Sequence, residues 1–331
     1  MSQIFSSNIK IGDIEIPRLG LGCMGLTQAY TPVDHDKAKA FLDRVMTDGP
    51  VMLDTAATYS GGKNERLIGS VIKPFRSQVF LASKAGMYKR SDGTREIDGN
   101  PDRIKISCDE SLVRLGIDQI DLFYLHRVDP MVPVEESVGA INDLKLAGKV
   151  RAIGLSEISA STLKRAMSVT QIDAVQSEYS LWSRRVEEGI SAACVELGIA
   201  LIAYSPVGRG FLAGGVPNLD GLSSKDIRKQ MPRFQGANFE SNLETLLELE
   251  VQAMEWGYSL AQLSLNWLWS QGAHIGAIPG TSQLANWQDN KRAQNTLDAG
   301  QLHLIERILR NKPFQGERYE PEKLKQLDSE I

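Results

Sequence analysis

Four polar residues in the sequence stand where they could do chemistry together. Asp54, Lys84 and His126 each close a short apolar run, and Tyr59 lies five residues beyond Asp54. In a barrel of parallel strands, these ends would all open onto one face, where the active sites of such barrels lie. Each residue alone has a structural explanation, such as a capping carboxylate or a lysine stem that covers apolar surface. The four together predict an active site.

The chemistry expected of this set is proton donation by Tyr59. An ammonium about 4 Å from a phenol contributes roughly 4 kcal/mol at an effective dielectric constant of about 20, or about 3 pK units. We therefore expect Lys84 to bring the pKa of Tyr59 from about 10 towards neutrality, so that the phenol donates a proton at cellular pH. Asp54 would hold Lys84 charged, and His126 would orient a carbonyl oxygen.

No competing chemistry accompanies these residues on the predicted face. The sequence offers there no nucleophile with an adjacent base, no close carboxylate pair and no metal-binding cluster. Cys23, Cys108 and Cys194 lie far apart and lack zinc-site spacing. A proton donor without a nucleophile indicates that a cofactor supplies the reacting electrons. The sparse cysteines are typical of reduced thiols, and we expect a cytoplasmic protein.

Eight short apolar runs alternate with segments of helical period. Runs without strict alternation indicate strands covered on both faces, as in a parallel sheet with helical crossovers. Because no Pro/Ser-rich linker separates the repeats, this order predicts a single (β/α)8 TIM barrel over residues 1–331, with an N-terminal β-hairpin at 9–16. A doubly wound sheet is the alternative. The runs span residues 19–24, 51–55, 79–83, 122–125, 151–155, 174–176, 201–204 and 277–278.

The segments between the runs carry helix boundary signals. Pro101 suits a first helical turn, and Gly116 suits a helix end. After the seventh run, the stretch 208–242 is too long for an ordinary connection and is predicted to be a cofactor or substrate loop. The charged residues 313–331 are predicted to form a surface arm. Helices are expected over 101–115, 134–147, 162–167 (capped by Ser159 or Ser161) and 186–197.

Residues 20–25 read Gly-Leu-Gly-Cys-Met-Gly, which matches a dinucleotide-binding GxGxxG pattern. That interpretation requires a helix that starts inside the turn and an acid about 20 residues further on. Pro32 breaks any helix before Asp34 can begin one. We therefore expect a first barrel strand, whose small residues let a ligand approach the backbone.

Composition excludes several classes of partner. The 331 residues are 42% apolar and 24% charged, which is typical of a globular protein, and the net charge of -4 repels phosphate backbones and anionic membranes. Nucleic acid and membrane partners are therefore not expected. The uncharged stretch 256–288 is long enough to cross a bilayer. Polar residues such as Gln262 and Asn266, together with Pro279, interrupt it, which predicts a buried helix, a turn and a strand.

At these residues the sequence resembles the aldo-keto reductases, over nearly the whole chain. The resemblance is strongest to the branch that includes perakine reductase and pyridoxal reductase-like enzymes. The matching segments include Leu-Asp-Thr-Ala-Ala-Thr-Tyr (53–59), Asn-Glu-Arg-Leu-Ile-Gly (64–69), Tyr-Leu-His-Arg-Val-Asp (124–129), Gly-Lys-Val-Arg-Ala-Ile-Gly-Leu-Ser-Glu (148–157), Gln-Ser-Glu-Tyr-Ser-Leu-Trp (176–182) and Ala-Tyr-Ser-Pro-Val-Gly-Arg-Gly-Phe-Leu (203–212).

The resemblance implies a reductase that passes hydride from a reduced nicotinamide cofactor to a small-molecule aldehyde or ketone, or runs in reverse. Asp54, Tyr59, Lys84 and His126 match the family's catalytic tetrad, with Tyr59 as the proton donor. The alternative is a redox-sensing regulatory subunit of the same fold, as in potassium-channel β-subunits. The tetrad does not separate these two functions, but a short acidic chain without an extended N-terminal arm argues against a channel partner. A homo-oligomer is compatible with either.

The resemblance also implies a cofactor site. Ser156, Glu157 and Gln176 would hold the nicotinamide amide, and Tyr204 would stack on the ring. Residues 205–211 would surround the pyrophosphate, and the segment 280–290 would hold the adenosine end. The full expected cofactor-binding set is Gly22, Cys23, Met24, Asp54, Ser156, Glu157, Gln176, Tyr204, Ser205, Pro206, Val207, Gly208, Gly210, Phe211, Gly280, Thr281, Ser282, Gln283, Asn286, Asp289 and Asn290.

The sequence departs from the family pattern at the adenosine end. Ser282, Gln283 and Asn286 stand where relatives often carry an arginine or lysine that binds the 2'-phosphate. We therefore expect NADP(H) to be favoured only modestly and NAD(H) to be usable. In addition, Ala57 stands where relatives often carry an acid. The substrate pocket is expected to be lined by parts of the loop 208–242 and by Met24, Tyr30, Met87, Tyr88, Arg127 and Val128.

Overall fold

The computed structural model describes residues 7–90, 94–215, 219–224 and 226–330, so the predicted domain 1–331 and the predicted loop 208–242 both include residues outside the description. The strands are β1 (Asn8–Ile11), β2 (Ile14–Pro17), β3 (Leu21–Gly22), β4 (Val51–Asp54), β5 (Val79–Ala85), β6 (Met87–Lys89), β7 (Arg95–Ile97), β8 (Ile120–Leu125), β9 (Val150–Ser156), β10 (Ala174–Glu178), β11 (Ala200–Tyr204) and β12 (Ile275–Ile278). The α-helices are α1 (His35–Thr47), α2 (Lys63–Ile72), α3 (Pro101–Leu115), α4 (Val134–Leu146), α5 (Ala160–Met167), α6 (Ile190–Leu197), α7 (Gly236–Glu255), α8 (Leu260–Ser270), α9 (Leu284–Lys291), α10 (Ala299–Asn311) and α11 (Pro321–Leu324).

Eight parallel strands form the barrel, in the spatial order β12-β11-β10-β9-β8-β5-β4-β3. A parallel bridge between Leu19 and Ala277 brings the two ends of this sheet together. The N–H of Gly20 donates to the carbonyl of Ala277 at 2.8 Å, and the N–H of Gly22 donates to the carbonyl of Pro279 at 3.1 Å. Each of the eight predicted runs overlaps one barrel strand, so the predicted (β/α)8 barrel is confirmed and the doubly wound alternative is wrong.

The predicted N-terminal hairpin is formed by β1 and β2, which pair in antiparallel register. Its turn contains Gly12 in the left-handed conformation that favours glycine (φ 59°). Ile9, Ile11 and Ile16 are buried, and they belong to the same apolar cluster as Phe80 and other interior residues of the barrel. The hairpin therefore packs against the apolar interior of the barrel.

Helix boundaries follow the local signals in the sequence. Helix α3 spans the predicted residues: the Asn100 side chain caps its start, and Gly116 ends it in a left-handed conformation (φ 65°). Ser159, the first of the two predicted caps, accepts the N–H of Thr162 at the start of α5. The predicted helix 186–197 is instead divided at Gly189 into a 3₁₀ turn and α6.

The glycine pattern at 20–25 forms a barrel strand and not a dinucleotide-binding turn, as expected. Strand β3 ends at Gly22, and α1 begins only at His35, after Asp34 has capped it. A side chain is excluded at Gly22 because a Cβ there would lie 2.7 Å from the carbonyl oxygen of Ile278. Close approach of the first and last barrel strands therefore explains this glycine.

The predicted loop ends earlier than expected. Its described part contains 3₁₀ turns, and α7 already begins at Gly236. The prediction of a loop that reaches Asn242 is therefore wrong. Helix α7 has a weak start signal, because its N-cap residue Gln235 makes no side-chain capping bond. Asn242 is fully buried inside α7, where its amide donates to the carbonyls of Arg233 and Gln315, both at 2.9 Å.

The uncharged stretch 256–288 forms α8, a turn and β12, as predicted. Trp267 and Trp269 of α8 are among the largest fully buried side chains in the described chain. Among the described residues, we find no helix with the length and apolar character required to cross a membrane. The apolar character of α8 therefore reflects its burial against the barrel and the neighbouring helices.

Candidate active site

The carboxyl ends of three barrel strands bring the predicted tetrad together. Asp54 ends β4, Lys84 lies near the end of β5, and His126 follows β8. The side chains of Asp54 and Lys84 form an ion pair, at 3% and 1% exposure. Tyr59 lies beyond β4, with its ring centroid 5.4 Å from the Lys84 nitrogen and 5.9 Å from the His126 ring centroid. The predicted cluster of four residues is therefore present.

The Asp54 carboxylate binds side chains from two neighbouring parts of this cluster. One carboxylate oxygen accepts from the Lys84 ammonium, and the other accepts from the Gln176 amide at 2.8 Å. Lys84 also donates to the carbonyl of Thr55 at 2.8 Å. Burial alone lowers the pKa of Lys84, but Asp54 and Tyr59 raise it above its ordinary value overall. Lys84 is therefore a permanent cation beneath the Tyr59 ring.

The expectation that Lys84 brings the pKa of Tyr59 towards neutrality is wrong. Burial raises the pKa of Tyr59 above its ordinary value; Lys84 acts in the opposite direction, and Asp54 raises the pKa further. The physical reason is that the ammonium is already paired with a carboxylate, while burial penalises the phenolate. Tyr59 is therefore protonated at neutral pH and can act as a proton donor.

His126 is electrically neutral in this site. Burial, and then the cations Arg127 and Lys84, lower its pKa well below the ordinary value. Its Nδ1 atom is buried without a hydrogen-bond partner among the described residues. A neutral imidazole can donate one hydrogen bond to a substrate oxygen without adding positive charge.

Two buried residues of α2 support the tetrad, and neither was predicted as a site residue. Asn64 accepts from the Thr55 hydroxyl at 2.7 Å and donates to the carbonyl of Cys23 at 2.8 Å. Glu65 accepts from the Ser83 hydroxyl and from Arg114, both at 2.6 Å. Both side chains are fully buried. Their only signal in the sequence was their place just after the Tyr59 turn, within a segment that resembles the family.

The cofactor-binding residues predicted after the first and last barrel strands lie side by side. Gly22 ends β3, Cys23 is fully buried with its N–H donating to the Asp54 carbonyl at 2.9 Å, and Met24 opens a short 3₁₀ turn. Gly280 follows β12, and a Cβ there would lie 3.3 Å from the carbonyl oxygen of Gly22. The two glycines thus let the backbones of the first and last barrel strands approach each other closely.

The predicted pyrophosphate segment has an unusual backbone. Ser205, Gly208 and Gly210 all have positive φ, as does Arg209, while Pro206 and Val207 are buried. Turns of this kind collect N–H groups into concave anion sites, which fits a pyrophosphate. Phe211 differs from the expectation, because its side chain is fully buried in an aromatic cluster. The ring partners are Trp182, at 4.2 Å between centroids, Phe234, Phe239 and Phe314.

The loop after β11 reaches across the face to the loop after β3. The N–H of Ile227 donates to the carbonyl of Ala29 at 2.9 Å, and the Arg228 guanidinium lies 5.1 Å from the Tyr30 ring centroid. Buried Asp226 holds Arg228 through two hydrogen bonds, at 2.8 and 2.9 Å. These contacts bridge the two segments predicted to flank the cofactor.

The predicted nicotinamide residues do not share one role. Ser156 is buried near the tetrad and accepts from Arg127 at 3.2 Å, and Gln176 binds Asp54. Glu157 differs from the expectation, because its carboxylate binds Arg318 at 3.0 and 2.5 Å and accepts from the N–H of Glu178 at 2.9 Å. The side chain of Glu157 is thus committed to the C-terminal segment.

The C-terminal arm is not confined to the surface as predicted. Arg318 is buried, and the Tyr319 hydroxyl lies 3.3 Å from the hydroxyl of Tyr204. Arg209, which also binds Glu178, donates to the Tyr319 hydroxyl at 2.6 Å. Sequence analysis missed Arg318 and Tyr319, because nothing in the local pattern connects them to strands more than 100 residues away.

The predicted adenosine residues surround the start of α9. Ser282, Gln283 and Asn286 are exposed, and Thr281 accepts the N–H of Gln283 at 3.1 Å. Two members of the set face inward instead. Asp289 binds Ser259 and Gln262, and Asn290 is buried.

The predicted substrate pocket carries arginines on its aromatic residues. Arg103 lies 3.9 Å from the ring centroid of Tyr88, and Arg228 covers Tyr30. Arg127 donates to the carbonyl of His126 at 2.5 Å.

Comparison with known proteins agrees with this geometry. The chain matches the model of the Aldo/keto reductase family over residues 18–310. The chain belongs to this family. It is therefore an NAD(P)H-dependent oxidoreductase. It is 38% identical, over 294 residues, to a probable aldo-keto reductase 1 from Glycine max, a match that covers 88% of this chain and 85% of that protein.

Solved structures share the fold of this aldo-keto reductase. A glycerol dehydrogenase from Gluconobacter oxydans superposes with a TM-score of 0.85 at 24% identity, covering 95% of this chain and 98% of that one. An aldo-keto reductase from Bacillus halodurans, in its holo form, has a TM-score of 0.76 at 26% identity, with the same coverage. The branch within the family stays a prediction.

Proposed function

We propose that this enzyme reduces an aldehyde or ketone to an alcohol, or catalyses the reverse reaction, with Tyr59 as the proton donor. The observation that carries the proposal is the buried cluster in which a protonated phenol lies between a permanent cation and a neutral imidazole. When bound, the reduced nicotinamide supplies the hydride to the carbonyl carbon. The protein then has to supply one proton to the carbonyl oxygen.

Each tetrad residue has a role in that proton transfer. Tyr59 donates its proton as negative charge develops on the substrate oxygen. The Lys84 ammonium stabilises the phenolate that remains, and Asp54 keeps Lys84 charged and in place. His126 donates a hydrogen bond to the same oxygen, so that the carbonyl is oriented for proton transfer.

The residues present fit a nicotinamide dinucleotide. The turns at 205–210 suit a pyrophosphate, Ser156 is buried beside the tetrad, and Gln176 donates a hydrogen bond to Asp54. NADP(H) is favoured modestly as the family's usual cofactor. NAD(H) is usable, because the exposed residues at the start of α9 are neutral and give a 2'-phosphate no charge-assisted hydrogen bond.

The decisive experiment compares Tyr59→Phe with Tyr179→Phe, which removes the hydroxyl of another buried tyrosine, one that donates to Glu187 at 2.9 Å. We expect Tyr59→Phe to lower kcat for carbonyl reduction about 100-fold or more, with an unchanged Kd for NADPH. Tyr179→Phe should keep the wild-type kcat. Equal kcat values for wild type and Tyr59→Phe on every carbonyl that is reduced would contradict the assigned role.

The same assay of carbonyl reduction distinguishes the proposed enzyme from the alternative, a redox-sensing regulatory subunit of this fold. Enzymes of metabolism usually turn over at about 1 to 1,000 per second. A wild-type protein that binds NADPH tightly but reduces a broad panel of carbonyls far below this range would favour the regulatory role over the enzyme proposed here.

A further inference from the structure

The C-terminal segment 317–330 is attached to the barrel face through Arg318. Its guanidinium binds the Glu157 carboxylate at 3.0 and 2.5 Å and the Glu330 carboxylate at 2.9 and 2.6 Å. The side chains of Arg318 and Glu157 are only 9% and 0% exposed. Two-pronged guanidinium contacts of this kind fix direction as well as position. The segment is therefore attached by a buried, oriented ion pair.

Further contacts from the same segment hold Glu157. The Ser329 hydroxyl donates to its carboxylate at 2.6 Å, and the N–H of Ser329 donates to its carbonyl at 3.1 Å. Glu157 also has a left-handed backbone (φ 55°), which a residue with a side chain adopts only when its surroundings enforce it. Ser156, the residue before it, lies beside the tetrad. The arm thus supports the conformation at the end of β9.

The C-terminal segment also contacts Tyr204 and the loop after β11. Arg318 donates to the Tyr204 hydroxyl at 3.4 Å, and the Tyr319 hydroxyl lies 3.3 Å from it. Tyr319 in turn accepts from Arg209 at 2.6 Å. One short segment therefore contacts the residue next to Ser156, the proposed stacking tyrosine and the proposed pyrophosphate loop.

Carboxylates and guanidinium groups are paired in this region. The carboxylates of Glu157, Glu178 and Glu330 lie among the guanidinium groups of Arg209, Arg233 and Arg318. Burial raises the pKa of Glu157, but Arg318 brings it down to about 2, so the acid stays ionised at physiological pH. Removal of one cation would leave a buried carboxylate without its partner, which is more disruptive than removal of the pair.

We propose that Arg318 is a positioning residue for cofactor binding: through Glu157 and Tyr204 it preorganises the nicotinamide end of the site, so that the C-terminal arm is part of the active site. The inference rests on the proposed cofactor residues. Preorganisation raises affinity because fewer groups have to be ordered when the ligand binds. Cofactor affinity should therefore depend on Arg318 more strongly than carbonyl binding does.

The test compares Arg318→Met, Arg318→Lys, Glu157→Gln and the double variant Arg318→Met/Glu157→Gln. Lys325→Met is the matched control, because Lys325 lies on the same arm in an exposed pair with Glu322. We expect Arg318→Met to raise the Kd for NADPH, measured by fluorescence, about tenfold (about 1.4 kcal/mol), with Arg318→Lys intermediate and Lys325→Met unchanged. The KM for the carbonyl substrate should change less than about twofold.

Because Arg318 acts through Glu157, the double variant should bind NADPH no more weakly than Arg318→Met alone. An unchanged Kd for NADPH in Arg318→Met, or additive losses in the double variant, would overturn the proposal. If Arg318→Met does not fold, the double variant decides instead, because it removes Glu157 and leaves Glu330 paired with Arg185 at 3.2 Å.

Hydrogen exchange in the wild-type protein gives a test without any variant. Coupling between sites is reciprocal, so NADPH has to slow amide exchange in the arm at 317–330. Equal exchange with and without NADPH would also overturn the proposal. A wild-type protein that binds NADPH but reduces no carbonyl would contradict the proposed function alone, since the Kd comparison does not require turnover.

Discussion

Replacement of Lys84 by methionine tests the electrostatics of the proton donor. The Lys84 nitrogen lies 5.4 Å from the Tyr59 ring centroid. At an effective dielectric constant of about 20, a unit charge at that distance contributes roughly 3 kcal/mol, or about 2 pK units. Lys84 lowers the pKa of Tyr59, whereas Asp54 raises it. Lys84→Met should therefore raise the pKa of Tyr59 above its already raised value.

The higher pKa of Tyr59 in Lys84→Met should change both kcat and the pH profile in a defined direction. A weaker acid donates its proton less readily, so kcat for carbonyl reduction should fall by at least about tenfold. The same acid keeps its proton to higher pH, so the alkaline limb of the reduction profile should move upward by about 1 to 2 pH units. Alcohol oxidation, which needs the phenolate as a base, should require correspondingly higher pH.

The variant also leaves Asp54 buried with Gln176 as its remaining side-chain partner. A buried carboxylate without its cation costs about 3 to 5 kcal/mol of stability. The double variant Asp54→Asn/Lys84→Met removes both charges and should recover much of that loss. It should keep most of the defect in kcat, because the ammonium beneath the phenol is still absent.

The assay is kcat for NADPH-dependent reduction and for the reverse oxidation at saturating cofactor, from about pH 6 to about pH 12, so that the range extends above the ordinary tyrosine pKa of about 10. Lys149→Met is the control, because Lys149 forms an exposed pair with Asp109 outside the site. A reduction profile with the wild-type alkaline limb in both Lys84 variants would refute the proposed coupling between Lys84 and Tyr59.

Three further predictions concern the surroundings of the tetrad. Asn64→Leu should lower kcat about tenfold or more and reduce stability by about 1 to 3 kcal/mol, because the buried Thr55 hydroxyl loses its acceptor. Asn8→Leu, on the hairpin surface, is the control, and an Asn64→Leu variant with wild-type kcat and Tm would count against the role of Asn64. The preference for NADPH over NADH, measured as kcat/KM at two salt concentrations, should be modest, since the missing charge-assisted bonds are worth about 1 to 3 kcal/mol. A preference above about 1,000-fold that is lost in high salt would instead indicate that a cation binds the 2'-phosphate. Exposed Arg292 is the candidate for that cation, because Arg209 is already bound to Glu178. Hydrogen exchange across the loop 208–235 should slow when NADPH binds, and identical exchange would make it a structural loop.

Local patterns in the sequence were sufficient for the barrel. Continuous apolar runs predict strands buried on both faces, and Pro101 and Gly116 predict the limits of α3, because these signals depend on neighbours within a few residues. The prediction that Asp54, Tyr59, Lys84 and His126 lie together followed from the predicted strands. Parallel strands open at one end of a barrel, so residues that follow those strands meet there whatever their separation along the chain.

The strength of Tyr59 as an acid could not be predicted in this way. Its pKa depends on burial, which raises it most, on the Lys84 ammonium, which lowers it, and on the Asp54 carboxylate, which raises it. The sequence names these groups but not the distances or the burial that weight them. The expectation of a lowered pKa took the cation alone into account and was therefore wrong.

By itself, the sequence determined the barrel, the four residues at its carboxyl end and the neutral residues at the start of α9. Only the tertiary structure decided that Glu157 binds Arg318, 161 residues further along the chain, and that Asn242 lies in a helix and contacts Gln315. Such contacts leave no periodic or capping signal, because a charged residue in a polar segment reads as solvent-exposed until the fold supplies its partner. Most of the C-terminal arm does lie at the surface, and the burial of Arg318 against Glu157 emerged only when the chain was folded.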